Sequence, residues 1–187
     1  MSFNRTQFNA FVDSLQLQYF TASELLSQQY VTKNGPPPMR LWHNIAPTIL
    51  ILEELRRRLG SPVKIVCAYR TEAYNNNGSP GRAPRSQHQA YSALDFQVPG
   101  QSVEAIAKEL EWWQDSIWFR SPIDFQRKAE KVAAGPIRFG ELPRAVFTSG
   151  GSVSHVMFQL RGYIHAYTSR STNFIHLDTR GIRDSSD

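Results

Sequence analysis

The sequence predicts an α+β fold in which helices occupy the N-terminal and middle parts of the chain and a small antiparallel sheet packs against them. Apolar residues recur at helical spacing in 8–15, 49–59 and 103–113, so that each segment has one apolar face. Apolar and polar residues alternate in 93–96 and 174–178, as in strands that bury only one face. Helices followed by short alternating strands are typical of this class.

The N-terminal part contains three predicted helices with clear start or stop signals. The first covers 8–15, and Thr21 with Glu24 then forms a capping box that opens a short second helix. A longer helix begins near Pro47, because proline costs nothing in the first helical turn. Gly60 ends that helix.

The middle part predicts a strand, a loop and two further helices. Residues 62–69 form an apolar strand in which Cys67 is expected to be a small buried hydrophobe. Residues 71–85 are rich in Asn, Gly, Ser, Pro and Arg and predict a long loop of functional interest. A helix capped by Ser102 runs to about 113, and a Ser-Pro start predicts another over 121–134.

The C-terminal part predicts the rest of the sheet. After Gly150 and Gly151, residues 153–160 and 162–167 suggest a hairpin, and 173–179 a third strand. We found no internal repeat and no linker, and 187 residues suffice for one core, so we expect 1–187 to be a single domain.

Composition excludes some classes of function. The net charge of +5 suits an anionic partner, but Lys and Arg are scattered, which argues against nucleic acid as the partner. A single cysteine excludes an intramolecular disulfide. The N-terminus lacks a signal-peptide pattern and no apolar run reaches membrane-spanning length. We therefore expect a monomer made in the cytoplasm, without a membrane span.

Three side chains, His88, Asp95 and His176, could form a metal site. His176 and Asp178 share the polar face of one predicted strand, and Asp95 lies on the polar face of another, seven positions after His88. Two imidazoles, one carboxylate and a water make the open tetrahedral site typical of catalytic zinc. The alternative is a surface His88, a capping or ion-paired Asp95, and a His176 satisfied by backbone.

Family resemblance strengthens the metal hypothesis. The segments that carry it are Tyr69-Arg70, Tyr74-Asn75, Ser86-x-His88, Ala93-x-Asp95 and Phe174-Ile175-His176-Leu177-Asp178-Thr179-Arg180-Gly181. Together they resemble the zinc D-Ala-D-Ala carboxypeptidase and endolysin family, which belongs with the VanX-type dipeptidases and shares its metal site with the hedgehog domain. The family pattern is S-x-H-x-x-G-x-A-x-D, and this sequence departs from it once, with Tyr91 in place of Gly.

The resemblance implies roles for several residues. His88, Asp95 and His176 would be the zinc ligands, Arg70 would bind a substrate carboxylate, and Ser86 would support the first ligand. The general base of the wider group is a Glu three residues before the last His or a His two before it. Asn173 and Phe174 occupy those places here, so Asp178 or His165 is the candidate for moving protons. Asp178 has an alternative role, orienting a ligand histidine.

The leading hypothesis is a zinc metallopeptidase that cleaves peptidoglycan stem peptides, as a carboxypeptidase or an endopeptidase, and that reaches the cell wall after release, as endolysins do. The alternative is a catalytically impaired module of the same fold that keeps zinc for stability and binds cell wall or a protein. The absence of the usual base favours this alternative.

Overall fold

Two antiparallel sheets and four α-helices make up the part of the chain that the computed structural model describes, residues 3–77, 82–126, 142–169 and 173–179. The helices are α1 (Arg5–Ser14), α2 (Ala46–Leu59), α3 (Glu72–Asn76) and α4 (Val103–Trp113). The strands are β1 (Lys64–Cys67), β2 (Ala93–Gln97), β3 (Trp118–Ser121), β4 (Arg144–Ser149), β5 (Ser152–Gln159), β6 (Tyr163–Thr168) and β7 (Asn173–Asp178). The predicted α+β class is confirmed.

The larger sheet has the strand order β1-β2-β7-β6, and the smaller has the order β3-β5-β4. Helix α4 packs against β6 and β7, and α2 contacts both β2 and β3. Four apolar residues of the two central strands of the larger sheet are fully buried in the hydrophobic core: Leu94, Phe96, Ile175 and Leu177. The opposite face of the same strands is therefore left for polar side chains.

The helix boundaries follow the local signals in the sequence. Thr21 and Glu24 form the predicted capping box, with the Thr21 amide donating to the Glu24 carboxylate at 2.8 Å. Gly60 ends α2 in the left-handed conformation, with φ +59°. The Ser102 hydroxyl accepts from the Ala105 amide and caps α4. No helix in the described ranges is long and apolar enough to cross a membrane.

The predicted hairpin of 153–160 with 162–167 is wrong. Strand β5 pairs with β3 and β4 in the smaller sheet, whereas β6 pairs with β7 in the larger sheet. Of the two partners of β5, β4 directly precedes it in the chain. Strand β4 is exposed at all six positions, so burial of one face imposes no alternation of apolar and polar residues on it. Gly150 and Gly151, at φ +57° and +81°, form the tight turn between β4 and β5.

Two other predictions need correction. Ser121 does not start a helix but ends β3, and its hydroxyl donates to the Ile123 carbonyl at 2.7 Å. The segment 122–126 is not helical, and residues 127–134 lie outside the described residues. The predicted loop 71–85 contains α3, because Thr71 caps that helix through the Tyr74 amide.

Candidate metal centre

A row of polar side chains crosses the larger sheet on the face turned away from the core. In the strand register, Asp95 pairs with Cys67 on one side and with His176 on the other, and His176 pairs with His165. Residues directly opposite each other on neighbouring strands project to the same face. The sheet therefore places a thiol, a carboxylate and two imidazoles side by side.

A β-bulge explains why Cys67 belongs to this row. Ile65 pairs with Phe96, whereas Cys67 pairs with Asp95, so β1 carries one extra residue between them, at Val66. A bulge of this kind re-aims the side chains that follow it. Cys67 is only 2 % exposed, so the expectation that it is buried is confirmed. Its polar neighbours are Arg70, whose Nε donates to its sulfur at 3.2 Å, and the donor atoms of His88 and Asp95.

His88 reaches the row from a tight loop between α3 and β2. Its amide donates to the Ser86 hydroxyl at 3.3 Å, and its carbonyl accepts from the Arg70 and Tyr91 amides at 3.2 Å each. Tyr91 has φ +55°, which is the left-handed conformation that glycine adopts most easily. The family motif has Gly at the position of Tyr91, and the left-handed backbone conformation explains why glycine suits it.

The donor atoms of the three predicted ligands converge. His88 Nε2 lies 3.1 Å from Asp95 Oδ1 and 3.3 Å from His176 Nδ1. The third side of the triangle, from His176 Nδ1 to Asp95 Oδ1, measures 2.8 Å. His88 and Asp95 are almost completely buried. The alternative of a surface His88 is inconsistent with this arrangement.

The outer nitrogen of each imidazole is held by an acceptor. His88 Nδ1 lies 2.8 Å from the carbonyl oxygen of Ala68, and His176 Nε2 lies 3.1 Å from Asp178 Oδ2. Each outer nitrogen can thus carry the proton and donate it, which leaves His88 Nε2 and His176 Nδ1 with lone pairs that face each other. Metal-binding histidines are oriented in this way, and the donor set fits zinc.

The charges of these groups depend strongly on one another. Burial lowers the pKa of His88, but the Asp95 carboxylate and the Cys67 thiol outweigh it and raise that pKa to about 10. Burial also opposes ionisation of Asp95, yet the neighbouring imidazoles bring the pKa of this carboxyl far below its usual range. The pKa of His176 is raised, because its bonds to Asp178 and Asp95 outweigh its burial. Protons and a cation thus compete for the same nitrogens.

Arg70 contacts the donor set rather than open solvent. Its Nη2 donates to Asp95 Oδ2 at 2.6 Å and its Nε to Cys67 Sγ at 3.2 Å, and the side chain is only 16 % exposed. Asp95 therefore has one oxygen fixed by a guanidinium and the other directed at the two imidazoles. The role of Arg70 toward a substrate carboxylate stays a prediction.

The two candidate proton carriers occupy different environments. Asp178 is fully buried and contacts the outer nitrogen of His176, which is the position of an orienting carboxylate. His165 is exposed on the same face, stacked on Tyr163 with ring centroids 5.9 Å apart and in edge contact with Tyr167 at 4.5 Å. The catalytic role of either residue stays a prediction.

Cys67 is the residue of this centre that sequence reasoning missed. One ligand atom from each of Cys67, His88 and Asp95 lies within 4.8 Å of the other two, so this triplet overlaps the predicted one. Burial opposes ionisation of the thiol, but His88 and Arg70 bring its pKa below the ordinary value. No signal in the sequence pointed to it, because strand alternation places Cys67 on the same face as Ile65.

The fold and this donor set are compatible with a metallopeptidase. A family model described as Peptidase M15 matches residues 18–117, which is over half of the 187 residues. The chain belongs to the Peptidase M15 family, zinc peptidases of the D-Ala-D-Ala carboxypeptidase, VanX and endolysin type. The match includes Arg70, His88 and Asp95 and ends before His176. No curated protein and no solved structure matches the chain significantly.

Proposed function

We propose that this M15 metallopeptidase cleaves peptidoglycan stem peptides, as a D,D-carboxypeptidase or an endopeptidase, with zinc held by His88, Asp95 and His176. One observation carries the assignment of ligands. The outer nitrogens of both imidazoles are held by acceptors, so that two lone pairs and one carboxylate oxygen meet within 3.3 Å. Such preorganisation is expected of a metal centre and not of histidines that merely satisfy backbone groups.

Zinc, when bound, would polarise the scissile carbonyl and lower the pKa of a bound water toward 7. Arg70 supports binding of an anionic peptide end. A guanidinium has five N–H donors, and its contacts with Asp95 and Cys67 engage two of them. The remaining donors suit a substrate carboxylate, which a carboxypeptidase must recognise.

Proton movement is the role we propose for His165. Asp178 is buried and engaged with His176, so it serves to fix that imidazole. His165 lies opposite His176 in the strand register and is exposed on the site face. A histidine there can accept a proton through one intervening water and return it to the leaving amine.

The test uses defined muropeptides with and without chelator. A monomeric pentapeptide reports carboxypeptidase activity, because a terminal D-Ala is released, and a cross-linked dimer reports endopeptidase activity. We expect chelator-sensitive cleavage of one of them by protein that holds one equivalent of zinc. His165→Gln should lower kcat with zinc content unchanged, whereas His88→Ala should lose both zinc and activity. Cleavage that survives complete zinc removal would contradict the proposal.

A second candidate function is a zinc-stabilised module that binds cell wall or a protein partner without cleaving it. The observation in its favour is that an apolar residue, Phe174, stands at a position where related enzymes carry the base. Phe174 stacks there on Tyr167, with ring centroids 4.7 Å apart, and supplies no proton acceptor. Sedimentation with purified peptidoglycan, at one equivalent of zinc and without released product, would favour this candidate.

A further inference from the structure

We propose that a cavity between α2 and β3 binds the glycan strand of peptidoglycan, at a site separate from the metal centre. The proposal rests on the proposed function, because a glycan is expected there only if the substrate peptide is attached to one. The cavity has a volume of about 390 Å³, within the range of about 300–1,000 Å³ that is typical of ligand sites. None of the residues that line it belongs to the metal centre.

Two exposed aromatic side chains line this cavity. Tyr19 is 38 % exposed and Trp118 is 46 % exposed. On β3, Trp118 points outward because it alternates with the buried Phe119. A sugar ring has an apolar C–H face that stacks on an aromatic ring, while its hydroxyl and amide groups need polar partners. Aromatic rings that are left open beside a cavity therefore suit a sugar.

The segment that carries Tyr19 is held in place on α2. The Glu53 carboxylate accepts from the Gln18 amide at 2.6 Å and from the Tyr19 amide at 3.2 Å. Arg56 Nη1 donates to the Tyr19 carbonyl at 2.9 Å, and its guanidinium carbon lies 5.7 Å from the centre of the Tyr19 ring. An aromatic ring on a fixed backbone loses little conformational entropy when a ligand binds to it.

Hydrogen-bond donors lie next to the rings. Trp118 and Arg120 are both exposed at alternate positions of β3, so one face of this strand offers a ring and a guanidinium together. Arg57 donates to the two oxygens of Glu54 through Nε and Nη2, at 2.7 Å each, which leaves its Nη1 donors for another partner. These groups can bind the hydroxyl and acetamido oxygens of a sugar.

The charges around the cavity favour an uncharged ligand. The charged residues that line it are Glu53, Glu54, Arg57 and Arg120, two of each sign, so that their formal charges cancel. A polyanion such as a nucleic acid needs an excess of positive charge at its binding site. N-acetylated sugars are polar and neutral, and they match both the open rings and the balanced charge.

Calorimetric titration of the full chain with the β-linked tetramer of N-acetylglucosamine tests the proposal. This probe has the sugar chemistry of the glycan and carries no peptide. We expect saturable binding that does not change at high salt and that is weakened about 10-fold or more in Trp118→Ala and in Tyr19→Ala. Trp112→Ala is the matched control and should bind like the wild-type protein, because Trp112 is exposed on α4 and does not line the cavity.

Tryptophan fluorescence locates the ligand without removing the ring. The tetramer should change the emission of the wild-type protein, whereas Trp118→Phe should retain binding and lose this change. Absence of saturable binding to the wild-type protein would overturn the proposal. An equal loss of affinity in Trp112→Ala would overturn the assignment to this cavity, and a steep dependence on salt would overturn the choice of an uncharged ligand.

Cleavage assays separate this proposal from the proposed function. Wild-type protein and Trp118→Ala should cleave a sugar-free stem pentapeptide at the same rate, whereas the variant should cleave intact sacculi more slowly. Cleavage of the pentapeptide without binding of the tetramer would overturn the glycan site alone. Binding of the tetramer at the cavity without cleavage of either substrate would overturn the proposed cleavage and leave the glycan site standing.

Discussion

Replacing Tyr91 by glycine restores the residue of the family motif, yet we expect the protein to become less stable. Tyr91 has φ +55°, and a non-glycine residue pays about 1–2 kcal/mol for that conformation. The Tyr91 side chain, however, contributes more to the stability of the folded state than this strain costs. The ring is fully buried, and its hydroxyl donates to the Leu25 carbonyl at 3.1 Å.

The sizes of these contributions decide whether the substitution raises or lowers the free energy of unfolding. Deleting a buried aromatic side chain costs about 3–5 kcal/mol, and the unpaired Leu25 carbonyl adds about 1 kcal/mol. Tyr91→Ala keeps the backbone strain and should lower the free energy of unfolding by the full ~4–6 kcal/mol. Tyr91→Gly relieves about 1–2 kcal/mol of strain. It also stabilises the unfolded chain by about 0.4–1 kcal/mol, because glycine raises the conformational entropy of that chain. The glycine variant should therefore be more stable than the alanine variant by about 1 kcal/mol and less stable than the parent.

Urea unfolding followed by tryptophan fluorescence, at one fixed free zinc concentration, measures these differences. Zinc must be fixed because a ligand of the folded state adds to the free energy of unfolding. Tyr91→Phe is the matched control and should lose only about 1 kcal/mol, the contribution of the hydroxyl. The reasoning is refuted if alanine at this position is as stable as glycine, because the left-handed backbone would then carry no cost.

Three further predictions concern the metal centre and the strands around it. Asp178→Asn should weaken zinc affinity about 10- to 100-fold, in competition with a chromophoric chelator, since a neutral amide replaces the carboxylate that orients the His176 imidazole. Gly162→Ala should cost at least about 3 kcal/mol in urea unfolding, because its Cβ would lie 1.8 Å from the Asp178 carbonyl oxygen. Gly35→Ala is the matched control and should cost much less, since its Cβ would meet nothing closer than 3.9 Å. In chelator-treated protein the pair of His88 with Asp95 should make stability depend on pH. The pKa of His88 is raised from 6.5 to about 10, so its contribution is fully present below pH 6.5 and is lost as the pH rises toward 10. The pKa of Asp95 is lowered, so its contribution is present above pH 3.8 and is lost as the pH falls. The urea midpoint should therefore fall between pH 6 and 9, whereas the apparent zinc affinity should rise over that interval; a flat profile for both would contradict the assigned coupling.

Local chemistry made the helices predictable. The capping box of Thr21 with Glu24, the Ser102 cap and Gly60 each act through hydrogen bonds or backbone conformations within a few residues, so the sequence contains the whole signal. Ser121 shows the limit of this reasoning. Its Ser-Pro start resembles a helix cap, but pairing of β3 with β5 takes the residue into a sheet. Pairing partners are distant in sequence and leave no local mark.

The strand positions of Asp95 and His176 were predictable for the same reason that the position of Cys67 was not. Alternation within β2 and β7 assigns Asp95 and His176 to the polar face, and both strands are regular, so the rule holds in the structure. The same rule places Cys67 on the face of Ile65, in the core.

One inserted residue at Val66 reverses that assignment. Successive side chains of a strand point to opposite faces, so a shift of the register by one residue moves every following side chain to the other face. A bulge has no compositional signature in an apolar strand. Its effect here is specific: it leaves Ile65 packed in the core and gives the polar row a sulfur atom beside Asp95. A strand that needed only to fill the core would gain nothing from the interruption, since a bulge breaks ladder hydrogen bonds. The bulge instead places the Cys67 sulfur 3.2 Å from Arg70 Nε and within 4.8 Å of donor atoms of His88 and Asp95.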